Sequence, residues 1–326
     1  MTKIPFLLFC GWGHAASTPF YYTLADNMYC HGGHIKEPSY LPNMEQYEYF
    51  DRPMWEYNSN PYERILGPDT PNVPPELNHH SPYNDFPEEF IQDWIAEPPN
   101  IEKYIDYYLI HWRNIKHDYH AVADFSNCNG WLREPFLDKY VPRLQEYFDI
   151  KVIFVARDPV RRSYSDFSAK FTGNCNSSDW IKKGMFNPGM KMKKERYDTI
   201  GQLFVEELDS SVETFHYIDF YRKFKQYVPT LQIVMEDFWE PSNFKEQTSI
   251  LSEFLNYPIK KIHENAFWPE AGENAPKYDF LKDQWGSVQE PLTKELYNYG
   301  RKQLDPVYSQ WEDEFGSLPS SWGHHI

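Results

Sequence analysis

Lys151-Val-Ile-Phe-Val-Ala-Arg157-Asp158-Pro159-Val-Arg161-Arg162-Ser163-Tyr164-Ser165 is the stretch that decides the fold. Positions 152–155 form a continuous apolar run, the pattern of a parallel strand buried on both faces. Asp158 and Pro159 then open a helix, because a proline ring is pre-set for the first helical turn. The strand therefore ends in Arg157, at the sheet edge where open α/β sheets bind ligands. Ser165, one to two turns into the helix, is expected on the face that looks back at Arg157. A guanidinium fork with a hydroxyl suits a phosphate monoester. An arginine paired with an internal carboxylate suits the same residue equally well. Arg162 adds charge or holds the helix to the sheet.

Working outward, a second apolar run at positions 4–9 reads as another central parallel strand. It is followed by Gly11-Trp-Gly13-His14-Ala15-Ala16-Ser17-Thr18-Pro19, a small-residue loop leading into a helix capped by Ser17 or Thr18. A strand, a loop of this kind and a helix start make an anion site, because backbone N–H groups and the helix dipole favour negative charge. The loop lacks the Gly-Lys-Ser/Thr ending of a Walker A sequence, and an ordinary tight turn would use the same residues.

Further strands are expected at 121–125 and 231–235. Helices are expected at 101–115, across 132–144, from Pro241, and from Pro291 as the last in the chain. Alternating strands and helices imply an α/β fold with a central, mostly parallel sheet flanked by helices. Residues 46–100 break the pattern, with dense proline and interleaved aromatics. They read as an insertion or lid, with a short helix near 88–95, inside a single domain spanning 1–326.

Composition narrows the chemistry. A chain of 326 residues is ample for one large core. The net charge of −16 argues against nucleic acid as a partner and against a highly sulfated polysaccharide acceptor. Cys10, Cys30, Cys128 and Cys175 have no paired spacing, which points to a reducing compartment without a disulfide framework. The apolar run at 4–9 is too short for a signal-peptide core and no run reaches membrane-spanning length, so the cytoplasm is the expected location. His79-His80 and His324-His325 have no spaced third ligand, and no metal is expected. The basic residues Lys182, Lys183, Lys191, Lys193, Lys194 and Arg196 read as a solvated loop or as an entrance for an anionic ligand.

In this order the motifs resemble a known family, the sulfotransferases that use 3'-phosphoadenosine 5'-phosphosulfate. Residues 151–165 are similar to the family's strand, Arg, Asn-Pro and Arg-Ala-Tyr-Ser segment, which binds the 3'-phosphate. Gly11 to Thr18 look like its first loop, which binds the 5'-phosphosulfate. Lys36-Glu37-Pro38-Ser39-Tyr40 resembles the Lys-Glu-Pro segment of the glycan O-sulfotransferase branch, where the Glu is the proposed general base. Asp124-Phe125-Ser126-Asn127 looks like the Asp-Phe-Thr-Pro segment of bacterial members, and Asp124 also reads as a simple strand-end cap.

The resemblance implies a P-loop-like fold and sulfuryl transfer to a hydroxyl or amine, on a glycan or a small molecule. It implies Arg157 and Ser165 at the 3'-phosphate, and Gly13, His14, Ala15, Ala16, Ser17, Thr18 and Lys36 at the phosphosulfate. Glu37 is then the base, and His14 eases departure of the nucleotide. Three positions depart from the family pattern. His14 stands where a Lys is usual, Ala15 and Ala16 where Gly is usual, and Asp158 where Asn is frequent. Asp158 is thereby expected to bring a negative charge near the 3'-phosphate. Two other readings use the same residues: a nucleotide-binding protein without turnover, to which His14 points, and a kinase-like phosphotransferase, which needs a loop Lys and a magnesium carboxylate.

Overall fold

The computed structural model describes residues 2–11, 17–32, 40–50, 99–172, 198–211, 217–263 and 292–322. Five strands lie in one sheet: β1 (Ile4–Gly11), β2 (Cys30–His31), β3 (Ala121–Asp124), β4 (Phe148–Ala156) and β5 (Thr230–Val234). Their order across the sheet is β2-β3-β1-β4-β5, and every pairing is parallel. The fold is an α/β sheet covered by helices on both faces, consistent with the P-loop-like arrangement of sulfotransferases.

The covering follows from the two-residue period of a strand. In β1, Leu7 and Phe9 point to one face and Phe6, Leu8 and Cys10 to the other. The first face receives α1 (Ser17–Asp26), α5 (Pro159–Thr172), α6 (Ile200–Ser211), α8 (Met235–Trp239), α9 (Phe244–Leu255), α10 (Lys294–Gln303) and α11 (Asp305–Phe315). The second receives α2 (Tyr40–Phe50), α3 (Ile101–Ile115) and α4 (Glu134–Gln145), while α7 (Tyr217–Lys225) packs Tyr217 and Ile218 into the first core and Tyr221 and Phe224 into the second. With both faces dry, the central strands carry the unbroken apolar runs seen in the sequence.

Connectivity sets where a ligand can enter. From β1 the chain passes through α1 to β2, on one side of the sheet. From β4 it passes through α5, α6 and α7 to β5, on the other side. The two connections leave in opposite directions from adjacent strands, so the carboxyl ends of β1 and β4 flank the switch point where open α/β sheets form a crevice.

Most expected elements occur within a residue or two of their predicted bounds. Among the differences, β4 begins four residues before the apolar run at 152–155. The helix following Tyr40 continues to Phe50, so regular structure extends past Gln46 into the segment read as irregular. The helix expected from Pro291 begins at Lys294, where the Thr293 side chain accepts from the Leu296 N–H, and it is followed by α11. Met235 begins α8 instead of ending β5. The helix expected near 88–95 lies outside the described residues.

Candidate functional site

The β1–β4 register pairs Gly11 with Val155, and the β4–β5 register pairs Ala156 with Val234. Three strand ends therefore line up at one edge. The first loop departs after Gly11, Arg157 follows β4, and Glu236 stands two residues past β5 in the first turn of α8.

Asp158 is the N-cap of α5. Its Oδ1 accepts from the backbone N–H of Val160 at 3.0 Å and of Arg161 at 3.1 Å. The hydroxyl of Tyr297 donates to Oδ2 at 2.8 Å and that of Tyr308 to Oδ1 at 3.1 Å. The carboxylate is fully buried and carries four donated bonds. Asp158 thus stands beside Arg157 as a helix cap and as the acceptor for two tyrosine hydroxyls. The side chain turns back onto the helix start and the two tyrosines, a position in which an amide would offer poorer acceptors.

Glu236 lies beside it. The backbone N–H of Asp158 donates to Glu236 Oε1 at 3.0 Å, and the indole N–H of Trp322 donates to Oε2 at 3.2 Å. Burial, opposed by the nearby Arg157 guanidinium, pushes the Glu236 carboxyl up to about 7. Arg157 is half-buried at the mouth of this arrangement. Its own desolvation pulls its pKa down, and Glu236 opposes that shift while Arg161 adds to it. Glu236 thus stands, one residue from Arg157 through the Asp158 N–H, where the internal-carboxylate reading needs an acid. A strand-tip arginine beside a buried acid can also present part of its fork to an anion arriving from the crevice.

Ser165 is half-buried on α5, as the helix start at Pro159 requires. Arg162 acts electrostatically on the buried Tyr217 hydroxyl of α7, which fits a role in holding helices together. Asp124 serves as the strand-end cap also read from the sequence: it accepts from the Ser126 N–H and the Tyr104 hydroxyl, each at 2.8 Å. Burial raises its pKa, and those bonds oppose the shift. Gly13, His14, Ala15, Ala16, Lys36 and Glu37 lie outside the described residues. The backbone of Ser17 and Thr18 starts α1, but their side chains lie outside the described set.

Other polar groups flank the same sheet edge. Lys223 donates to the Gly130 carbonyl at 3.0 Å and lies 4.4 Å from the centre of the Phe220 ring; desolvation pushes its amine down to about 8. His31, at the end of β2, shares a hydrogen bond of 3.2 Å with His111 of α3. Cys10, Cys30 and Cys128 are buried free thiols. Among the described residues no His, Cys, Asp and Glu group could hold a metal ion, and no helix is long and apolar enough to cross a membrane.

The sequence reading gave Glu236 no role. The available signal was its place: an acid just past a parallel strand adjoins whatever ends the neighbouring strand, here Arg157.

No family model matches the chain, and no curated protein matches it. Three solved structures are similar at low identity. A sulfotransferase from Alicyclobacillus acidocaldarius is 11% identical with a TM-score of 0.46, over 98% of this chain and 99% of that one. The sulfotransferase domain from the curacin biosynthetic pathway is 16% identical with a TM-score of 0.43, over 93% and 99%. Sulfotransferase STF9 from Mycobacterium avium is 13% identical with a TM-score of 0.41, over 98% and 78%. Scores below 0.5 say nothing of substrate or of site residues in this chain.

Proposed function

We propose that this chain is a sulfotransferase that moves a sulfuryl group from 3'-phosphoadenosine 5'-phosphosulfate to a hydroxyl or amine of a glycan or small molecule. The observation that carries the reading is the switch point between β1 and β4, with a half-buried arginine directly after β4 and the end of β1 at Gly11 beside it. The crevice suits a ligand with two anionic ends, one for the Arg157 side and one for the amides at the start of α1.

In this reading Arg157 and Ser165 hold the 3'-phosphate and so select the donor over ATP. The amides from Gly13 through Ala15, Ala16, Ser17 and Thr18 hold the phosphosulfate, with His14 and Lys36 supplying donors. Glu37 accepts the proton of the attacking hydroxyl; a positioned base of this kind contributes roughly 10²–10⁴-fold. The donor supplies the activated sulfuryl group, and the chain supplies alignment and charge stabilisation. None of these steps requires a metal.

Thermal shift with adenosine 3',5'-bisphosphate, AMP and ATP tests the donor assignment. Stabilisation by the bisphosphate well above that by AMP supports it; equal stabilisation by AMP overturns it. A second reading, a nucleotide-binding protein without turnover, is favoured by His14 in place of the family's usual lysine. Bisphosphate binding with no sulfuryl transfer to any acceptor in a panel of sugars, phenols and amines would establish it.

A further inference from the structure

We infer that Glu236 is a positioning residue that balances the charge of Arg157 while the site is empty, and that it takes up a proton when an anionic phosphate reaches Arg157. The inference rests on the nucleotide reading above and adds a regulatory property to the same site: binding coupled to pH.

The geometry supplies the argument. Glu236 and Arg157 leave neighbouring parallel strands at paired positions, Ala156 opposite Val234. The Glu236 carboxyl is anchored on one oxygen by the Asp158 N–H and on the other by the Trp322 indole, so it cannot swing away from Arg157 without giving up two bonds. The charged and titratable groups around the pair are Asp158, Arg161 and Arg162 at the start of α5, Tyr217 of α7, Tyr297 of α10 and Tyr308 of α11.

Asp158 is the other acid beside Arg157 and is held by four donated bonds. Glu236 is deeply buried, and that burial has already raised its carboxyl to about 7, which makes it the acid that gives way. A phosphate dianion at Arg157 would put two further negative charges beside two carboxylates and disfavour ionised Glu236. Its pKa of about 7 in the empty site already stands where a modest further rise is felt near neutrality. The balance is simple: at most one proton passes from solvent to the Glu236 carboxylate for each nucleotide bound.

Isothermal titration of the full chain with adenosine 3',5'-bisphosphate at about pH 8, in buffers of different ionisation enthalpy, counts that proton. The phosphates themselves are fully ionised there, their second ionisation lying near 6. We expect an uptake of roughly 0.4 proton per nucleotide for a pKa rise of about one unit, an affinity that falls as pH rises above neutrality, and no uptake in Glu236→Gln. AMP, which lacks the 3'-phosphate, should bind without uptake.

A wild-type chain that binds the bisphosphate with no proton exchange overturns the inference and leaves the nucleotide reading intact. So does uptake that persists in a folded Glu236→Gln. If the variant fails to fold, the wild-type proton count and its pH dependence decide alone. A wild-type chain that does not bind the bisphosphate overturns the nucleotide reading and this inference with it.

Discussion

Tyr308 donates its hydroxyl hydrogen to Asp158 Oδ1 at 3.1 Å, tying the last described helix to the first residue past Arg157. Tyr297 does the same from the preceding helix at 2.8 Å. The C-terminal helices thus fix the turn that aims the candidate anion-binding arginine. Buried bonds to a charged acceptor contribute roughly 1.5–3 kcal/mol each. Tyr308→Phe and Tyr297→Phe should each lower unfolding stability by about that much in urea denaturation. Against a background of Asp158→Asn the two losses should shrink, since the tyrosines then face a neutral amide.

Arg157→Ala should abolish the preference for adenosine 3',5'-bisphosphate over AMP in thermal shift. Affinity for the bisphosphate should drop by about 10–100-fold, the scale of a lost charge-assisted fork. Arg157→Lys keeps the charge and loses the planar fork, so it should recover only part of the preference. Equal loss of bisphosphate and AMP binding in Arg157→Ala would place the arginine elsewhere than at the 3'-phosphate.

Glu236 should give the fold a pH dependence of its own. Its folded pKa, about 7, is raised above the unfolded value because burial penalises the charged form. The folded state therefore binds more protons than the unfolded state between about pH 4.5 and 7, and stability falls as pH rises through that window. The contribution is fully present below the unfolded pKa and is lost as pH passes the folded one, a change on the order of 3 kcal/mol. Glu236→Gln should lack this component. The stability difference, wild type minus variant, should move in the variant's favour from pH 5 to pH 8 in denaturant titrations.

Gly300→Ala tests packing beside the same turn. A Cβ there would stand 2.9 Å from Phe204 Cζ and 3.0 Å from Val160 Cγ1. Val160 is in the first turn of α5, two residues after the Asp158 cap, and is fully buried. Alanine is the better helix former by about 1 kcal/mol, but overpacking costs about 1–3 kcal/mol. The variant should be destabilised on balance, with a lowered midpoint in urea and an unchanged slope. A gain in stability would show that α5 and α10 slide apart easily.

The sheet was legible because β1 and β4 carry uninterrupted apolar runs, and because Arg157-Asp158-Pro159 marks strand end, cap and helix start in three residues. Arg157 was legible for the same reason: its place follows from the strand that precedes it. Glu236, Tyr297 and Tyr308 were not, because their meaning depends on contacts across 78, 139 and 150 positions that no local period encodes. The partners of Asp158 were hidden for a related reason. Its neighbours in sequence are cationic, while its partners in space are a helix start and two phenols. The two-residue strand β2 was missed because Cys30–His31 is too short to show a period of two.

The register of β1 has a consequence for biosynthesis. Both flanking partners, Ala121–Asp124 and Phe148–Ala156, lie far downstream. At about 5–20 residues per second, the ribosome takes roughly 6–23 s to deliver the first of them. Until then a nascent Ile4–Gly11 has neither of these partners, and its apolar side chains are a natural target for holdase chaperones during translation.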